Sequence, residues 1–236
     1  MTRSRTNKGV VALLAAAGAA LSSAVHAGQP LVTDDAAIVA AGTCQLEAWW
    51  HPHHDGHEYW AQPACNFTGN LELALGLARA YPEGDPTSSL IHLQAKTAGF
   101  AHDDNRWSFG IVASADRDTG ASRGRTAFQG FNVTGLASWY PRDDLEIDLN
   151  LGASYVYGSG SFAVAGAAIQ YTVIHSLQLL GEIFRDEPGR PKFQLGTRSI
   201  VVQDRFEVYA SYGNRFDAKQ WFATFGIRLQ TPEFLR

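Results

Sequence analysis

Leu145-Glu-Ile-Asp-Leu-Asn-Leu-Gly-Ala-Ser-Tyr155 alternates in polarity, with apolar residues at the odd positions and polar or small residues at the even ones. A period of two is typical of a β-strand that has one apolar and one polar face. The same pattern recurs at residues 71–78, 107–111, 206–212 and 221–229. The chain is therefore predicted to form a sheet of repeated amphipathic strands.

Clusters of Gly, Pro, Asn and Asp separate these segments. They divide residues 43–229 into about twelve strands of roughly ten residues each, with ten or fourteen strands as alternatives, and such a strand can cross a bilayer. Counted from a loop at residues 52–57, the odd-numbered connections tend to be longer than the even-numbered ones, as expected for outer loops and periplasmic turns. We predict an all-β fold, a closed antiparallel up-and-down transmembrane β-barrel, with a periplasmic tail at 230–236.

The composition agrees with short strands. Of 236 residues, 11% are aromatic and 23 are Gly, while only 18% are charged. The formal net charge of -4 argues against a nucleic-acid partner, because such proteins carry a basic excess.

The N-terminus has the three parts of a secretory signal peptide. Basic residues precede an apolar region at 10–20, and Val25-His26-Ala27 resembles a cleavage site; the basic residues are Arg3, Arg5 and Lys8. We predict a signal peptide at 1–27, a mature chain from Gly28 and export to the bacterial outer membrane. The alternative is an uncleaved helical anchor, for which the apolar region is short.

Alternation alone does not decide which face of the barrel meets lipid, because a soluble barrel or sandwich would bury the apolar face. With the apolar face outward, the lumen is polar and of mixed charge. The predicted lumen residues are Glu47, Glu72, His92, Lys96, Arg106, Glu146, Asp148, Glu182, Arg198, Glu207 and Arg228.

Aromatic residues near strand ends favour the membrane interpretation, because aromatic rings gather at the membrane interfaces. The predicted outer belt comprises Trp49, Trp50, Tyr59, Trp60, Tyr81, Tyr155, Tyr157 and Trp221. The predicted inner belt comprises Trp107, Trp139, Tyr140 and Tyr171.

The two cysteines are predicted to form a disulfide. A hairpin turn centred between His54 and Asp55 brings Cys44 opposite Cys65. Directly opposite residues supply the short Cβ separation that a bridge needs, and export provides an oxidising compartment. Two free buried thiols are the alternative.

Several short motifs resemble the phenol-degradation (MetA-pathway) family of bacterial outer-membrane proteins. They are Pro30-Leu-Val-Thr-Asp-Asp-Ala36 followed by Gly42 and Gln45-Leu-Glu47, then Leu93-Gln-Ala-Lys96 and Leu179-Leu-Gly-Glu182. The resemblance spans most of the mature chain. It implies a barrel and traffic in hydrophobic or aromatic compounds, and it brings no catalytic residues.

The segment 28–42 is predicted to be periplasmic, as a short helix or a plug. Thr33, Asp34 and Asp35 suit the N-terminal end of a helical turn over residues 36–41, because their side chains cap exposed amides. Such a piece fits the periplasmic mouth of a barrel; a capped linker without a gating role is the alternative.

Four histidines crowd the loop at 52–57 and its flanks: His51, His53, His54 and His57. Imidazoles at this density suit zinc, copper or nickel. A solvated, pH-responsive loop is the alternative. We expect no cofactor beyond an adventitious transition metal here.

Enzyme motifs are weak. His92 lacks an adjacent Ser motif, and the carboxylates Glu146 and Asp148 also suit a pore wall. We predict a non-enzymatic channel or uptake protein for small, hydrophobic or aromatic molecules. A closed-lumen structural or surface-interaction barrel is the alternative. Its expected partners are outer-membrane lipid, a small-molecule solute and the outer-membrane assembly machinery.

Overall fold

The computed structural model describes residues 29–102, 106–119, 128–188, 190–216 and 220–233, with the side chains of 99–102 excepted. The predicted signal peptide lies outside the described residues. Twelve strands follow one another: β1 (Thr43–His53), β2 (Gly56–Asn66), β3 (Glu72–Pro82), β4 (Ser88–His102), β5 (Trp107–Asp118), β6 (Phe128–Arg142), β7 (Leu145–Val156), β8 (Gly160–Ile174), β9 (Leu177–Arg185), β10 (Lys192–Val202), β11 (Phe206–Arg215) and β12 (Phe222–Gln230).

The sheet closes on itself. Every strand pairs antiparallel with its neighbours in sequence, and β1 pairs with β12, so that Glu47 lies opposite Arg228. Closure leaves no strand edge unpaired. The predicted closed antiparallel barrel of twelve strands is confirmed. None of the described residues forms a helix that is long and apolar enough to cross a membrane.

Side-chain exposure defines the two faces of the wall. On β7, Glu146 and Asp148 are 2% and 0% exposed, whereas Leu149 and Leu151 are 46% and 72% exposed. Strand pleating places alternate residues on opposite faces, so the charged set lies inside and the apolar set outside. This arrangement is the reverse of a soluble barrel or sandwich and suits lipid surroundings.

The two rims of the barrel are defined by their connections. The outer rim carries the connections that follow odd-numbered strands, and the inner rim carries those that follow even-numbered strands. The outer connection predicted at 52–57 is shorter than predicted and comprises only His54 and Asp55, because β1 and β2 stay paired as far as His53 and Gly56. Gly56 has φ +143, and a Cβ there would lie 2.3 Å from the Tyr81 carbonyl oxygen, so this close approach requires glycine.

The aromatic belts are only partly as predicted. Trp107 and Trp139 stack on the outward face near the inner rim, with centroids 5.6 Å apart. Trp49 and Trp60, predicted for the outer belt, occupy inward positions instead and line a cavity in the lumen. Tyr140 also occupies an inward position on β6. Strand parity decides these cases, since their neighbours Trp50 and Tyr59 take the outward positions.

The disulfide between Cys44 and Cys65 is present. The two residues are directly paired across β1 and β2, and their Cα atoms lie 4.1 Å apart. Both belong to the outward-facing set, near the inner rim. The hairpin register predicted from their spacing is therefore the one observed.

Candidate functional site in the barrel lumen

Residues 29–42 lie inside the barrel and are called the plug segment here. Thr33 is 1% exposed and Asp35 is 0% exposed, although neither belongs to a strand. The plug segment contains turns and bends but no helix. The predicted helical turn is therefore wrong. Four backbone amides of the segment donate to side chains of the barrel wall and the Ala37 amide donates to Asp35 Oδ1, so these amides do not form intrahelical hydrogen bonds; the four are those of Val32, Thr33, Ala36 and Val39.

The C-terminal half of the plug segment is held by β2, β3 and β6. The amide of Val39 donates to Glu72 Oε2 at 2.8 Å, and the Val39 carbonyl accepts from Asn66 Nδ2 at 2.8 Å. The amide of Ala36 donates to Ser138 Oγ at 2.8 Å. Inward side chains thus replace the strand partners that this extended backbone lacks.

The N-terminal half is held by β9 and β10. Glu182 accepts from the amides of Val32 and Thr33 with its two carboxylate oxygens, at 2.8 and 2.7 Å. Gln194 Nε2 donates to the Pro30 carbonyl at 2.7 Å, and Gln194 also hydrogen-bonds to Glu182. A charged acceptor makes the stronger kind of hydrogen bond, so Glu182 is a principal anchor.

The centre of the plug segment is held electrostatically. Lys96 Nζ lies 2.8 Å from Asp34 Oδ1 and 2.9 Å from Asp35 Oδ1, and its side chain is 4% exposed. The Asn150 side-chain amide exchanges two hydrogen bonds with the Asp34 backbone, at 2.8 and 2.7 Å, in the amide orientation that satisfies both groups. This buried cluster joins the plug segment to β4 and β7.

These contacts proceed in strand order, from β3 at Val39 through β6 and β7 to β9 and β10 at Pro30. The plug segment therefore runs around the inner wall rather than straight across it. It passes β8 at Gly166, where an added Cβ would lie 2.3 Å from Thr33 Oγ1. The absence of a side chain at this position provides the space for the plug segment.

Below the plug segment, towards the inner rim, side chains fill the lumen. Arg228 pairs with Glu207, its Nε lying 3.0 Å from Glu207 Oε2, and its Nη1 lies 4.0 Å from Glu47 Oε1. Arg198 is 2% exposed and donates to Gln170 Oε1 at 3.1 Å. Buried charges of opposite sign are thus gathered into one network, which lowers the penalty for removing them from water.

The sequence-predicted lumen residues occupy inward positions, with one exception. Those on the inner face are Glu47, Glu72, His92, Lys96, Glu146, Asp148, Glu182, Arg198, Glu207 and Arg228. The prediction for Arg106 is wrong. It lies in the turn before β5 with φ +53, half exposed, and its Nη1 is 3.3 Å from Asp143 Oδ1 in the next turn of the same rim.

Above the plug segment, a cavity of about 510 Å³ forms the outer half of the lumen, and we call it the vestibule. Trp49 and Trp60 stack on its wall with centroids 5.4 Å apart and planes within 4°. Trp60 Nε1 donates to Glu58 Oε2 at 2.6 Å, and His92 Nδ1 lies 2.7 Å from Asp116 Oδ1. The vestibule thus combines indole faces with carboxylates.

The predicted metal-binding histidines do not converge. His51 and His53 lie on the inward face of β1 with ring centroids 5.8 Å apart, and His51 Nδ1 hydrogen-bonds to Thr224. His54 pairs with Asp55 in the turn, and His57 stacks on Tyr81 outside the barrel. Within the described residues, no three metal-ligating side chains are gathered. The tight hairpin separates the four imidazoles because alternate residues point to opposite faces.

Several residues of the site were not predicted from sequence. The vestibule residues Glu58 and Asp116 are not among the site residues predicted above, and neither are the plug partners Ser138, Asn150 and Gln194. Parity was the available signal for all five, because each is an even-numbered residue on a strand whose even positions point inward.

A closed barrel with an apolar exterior and a polar, partly filled lumen has the fold of the outer-membrane channel-type barrels. Within that class, the chain belongs to the family described as "Uncharacterised conserved protein UCP029691", whose model matches residues 12–230. The phenol-degradation resemblance stays a prediction, because the matching family model is a different one. No curated protein is significantly similar to the chain.

Solved structures of outer-membrane channels share the fold. The KdgM porin in complex with disordered oligogalacturonate has a TM-score of 0.62 at 12% identity, over 78% of this chain and 98% of that one. The COG4313 outer membrane channel from Pseudomonas putida F1 has a TM-score of 0.61 at 12% identity, over 83% and 97%. The NanC porin has a TM-score of 0.59 at 10% identity, over 78% and 98%.

Proposed function

We propose that the protein is an outer-membrane channel for small solutes, closed at its inner half by the plug segment and opened when that segment moves. The observation that carries the proposal is the way the plug segment is attached. Its backbone is held by single side-chain contacts, such as those of Glu72, Ser138 and Glu182, rather than by a continuous strand ladder. Separate hydrogen bonds of about 1–3 kcal/mol each can be exchanged for water one at a time.

The vestibule supports a solute that is not a polyanion. Oligogalacturonate, with which the KdgM porin forms a complex, is an acidic oligosaccharide. In the chain described here, carboxylates such as Glu58 and Asp116 face the vestibule beside the two stacked indoles. Like charges repel in a confined site of low dielectric constant, whereas indole faces favour apolar or aromatic solutes. This agrees with the aromatic solutes that the phenol-degradation resemblance implies.

The proposed location is the outer membrane, with lipid around the apolar exterior and assembly by the outer-membrane machinery. The mature protein is expected to fractionate with outer membranes and to migrate faster on gels before heating than after. Recovery from the periplasm in soluble form, without detergent, would contradict the proposed location.

Conductance in planar bilayers tests the channel directly. The double variant Asp34→Asn/Asp35→Asn keeps the size of both side chains but removes the charges that hold Lys96. It is expected to open more often than the wild type, because the central anchor of the plug segment is weakened. The control is Asp143→Asn/Asp144→Asn, in an exposed turn at the inner rim, which should behave as wild type.

The competing function is a structural or surface-interaction barrel with a permanently closed lumen. It is favoured by the same filled inner half of the lumen. If the wild type and the Asp34→Asn/Asp35→Asn variant are both folded and neither conducts at any applied voltage, the second function is supported and the first is overturned.

A further inference from the structure

The vestibule is lined by six carboxylates and one ammonium group. The ammonium is Lys96, and the carboxylates belong to Asp34, Glu47, Glu58, Glu72, Asp116 and Asp186. Lys96 is buried and already contacts both Asp34 and Asp35. It therefore has little capacity to attract an anion, and carboxylates outnumber ammonium groups in the cavity lining.

Glu58 and Asp116 have hydrogen-bond partners that carry no positive charge while His92 is neutral. Glu58 accepts a hydrogen bond from the Trp60 indole, which carries no charge. Asp116 hydrogen-bonds to His92, which is charged only when protonated. Within the described residues, neither Glu58 nor Asp116 forms an ion pair with a Lys or Arg side chain. By contrast, Asp186 lies 3.1 Å from Lys192 Nζ.

Glu47 is a third carboxylate in the cavity lining, and one of its oxygens accepts no hydrogen bond. Glu47 is 4% exposed, and its Oε1 has no hydrogen-bond partner within the described structure. Arg228 Nη1 is 4.0 Å from this oxygen, beyond hydrogen-bond distance. Because this oxygen is buried and Arg228 compensates its charge, Glu47 belongs to the network of the inner half, and the carboxylates left for a solute are Glu58 and Asp116.

The aromatic wall supplies the second half of the recognition. Trp49 and Trp60 are parallel, and both line the cavity. The negative face of an indole attracts cations, and it also packs against flat apolar groups. Since Glu58 is hydrogen-bonded to Trp60, an ammonium group near that carboxylate would also lie close to an indole.

We propose that the vestibule is a binding site for a small organic cation, an ammonium group carried on an aromatic or apolar body. The proposal rests on the channel function above, for which it names the solute class. The cavity volume of about 510 Å³ falls in the range typical of small-molecule sites. The cation would be bound by Glu58 and Asp116, and its apolar body by the indole pair.

Calorimetry on the detergent-solubilised, full mature protein tests binding without requiring conduction. The probes are phenethylammonium, its neutral isostere phenethyl alcohol and its anionic counterpart phenylacetate, at pH 8, where the ammonium group of the first probe is charged. Phenethylammonium should bind most tightly and phenylacetate most weakly. Equal or tighter binding of phenylacetate would overturn the proposal, as would equal binding of the alcohol.

Variants separate the two parts of the site. Glu58→Gln should weaken phenethylammonium binding by about five- to tenfold, the range of a lost charge-assisted contact, and change phenethyl alcohol binding less than twofold. Trp49→Leu should weaken both probes. The matched control is Glu83→Gln, an exposed carboxylate in the β3–β4 connection outside the cavity lining, which should change neither.

Heat-modifiable gel migration establishes that each variant is folded. An unchanged phenethylammonium affinity in folded Glu58→Gln would overturn the site. Binding in a protein that never conducts would leave the cation site intact while contradicting the channel function. Conduction without any cation binding would support the channel function and contradict the cation site. The two proposals can therefore fail separately.

Discussion

The two halves of the lumen differ in how their charges are compensated. Towards the inner rim, Arg198 and Arg228 are buried among carboxylates and amides, and the plug segment closes over them. In the vestibule, Glu58 and Asp116 face a cavity. A filled lumen must satisfy each charge internally, whereas a cavity leaves charges available to a solute. We therefore expect the charges of the inner half to stabilise the fold and those of the outer half to bind a solute.

Loss of Lys96 is expected to have the largest effect. Lys96→Ala leaves the buried Asp35 and the half-buried Asp34 without their cation, which should weaken docking of the plug segment by about 3–5 kcal/mol. Faster hydrogen exchange at residues 29–42 and more frequent channel opening would measure this change. Lys96→Leu should destabilise as well; a gain in stability would show that this side chain meets lipid.

Lys192→Ala is the matched control at the outer rim. Lys192, the first residue of β10, pairs with Asp186 and Glu187 at 3.1 and 3.0 Å, and these two carboxylates are 38% and 48% exposed in the β9–β10 connection. A pair of this kind is worth about 1 kcal/mol or less. Equal losses for Lys96→Ala and Lys192→Ala would erase the distinction between the two halves.

A steric substitution beneath the plug segment should have the next largest effect. Gly166→Ala would bring a methyl group 2.3 Å from Thr33 Oγ1, so the plug segment must shift, at a cost of about 1–3 kcal/mol. Hydrogen exchange at Thr33 and its neighbours should accelerate. Gly135→Ala on the outward face is the control, since its Cβ meets nothing closer than 3.6 Å. Unchanged exchange in Gly166→Ala would show that the plug segment does not rest against β8.

Removal of the disulfide should have a smaller effect. The double variant Cys44→Ser/Cys65→Ser should lower the free energy of unfolding by less than the roughly 3 kcal/mol expected from loop entropy alone, because the β1–β2 hairpin stays paired. The temperature at which gel migration changes reports this loss. Plug exchange should be unaffected, since both cysteines face outward. A large increase in plug exchange would tie closure of the lumen to the exterior of the barrel.

Glu58→Gln should change stability least, by about 0.5 kcal/mol or less. The amide oxygen of Gln still accepts the hydrogen bond from Trp60, and no ion pair within the described residues is broken. Chemical unfolding in detergent measures the difference. A loss comparable to that of Lys96→Ala would mean that the vestibule carboxylates are structural after all.

Much of the wall was predictable because strand parity is a local signal. The alternation at residues 145–155 showed which residues of β7 share a face, and the hairpin symmetry about His54 and Asp55 predicted the pairing of Cys44 with Cys65. Arg106 was mispredicted because β5 begins only at Trp107, and Arg106 lies in the preceding turn with φ +53, where the alternation of the strand does not apply.

The site itself was less predictable, for two physical reasons. The plug segment has no periodicity, and its partners are side chains on strands far away in sequence, such as Glu182 for Thr33. Its capping residues resemble a helix start because Asp and Thr bind free amides in any conformation. The outer end of the vestibule was missed because strand pairing extends into residues predicted as a loop, including Pro52 and His57.

The Cys44–Cys65 bridge also bears on the order of assembly. β1 closes the barrel by meeting β12, its most distant strand in sequence, and a slip of one residue there would exchange the inner and outer faces of the strand. The covalent link holds β1 in register with β2 independently of that encounter. In the oxidised hairpin, β1 is therefore already aligned with β2 when it pairs with β12. This alignment guides the register of the pairing that closes the barrel.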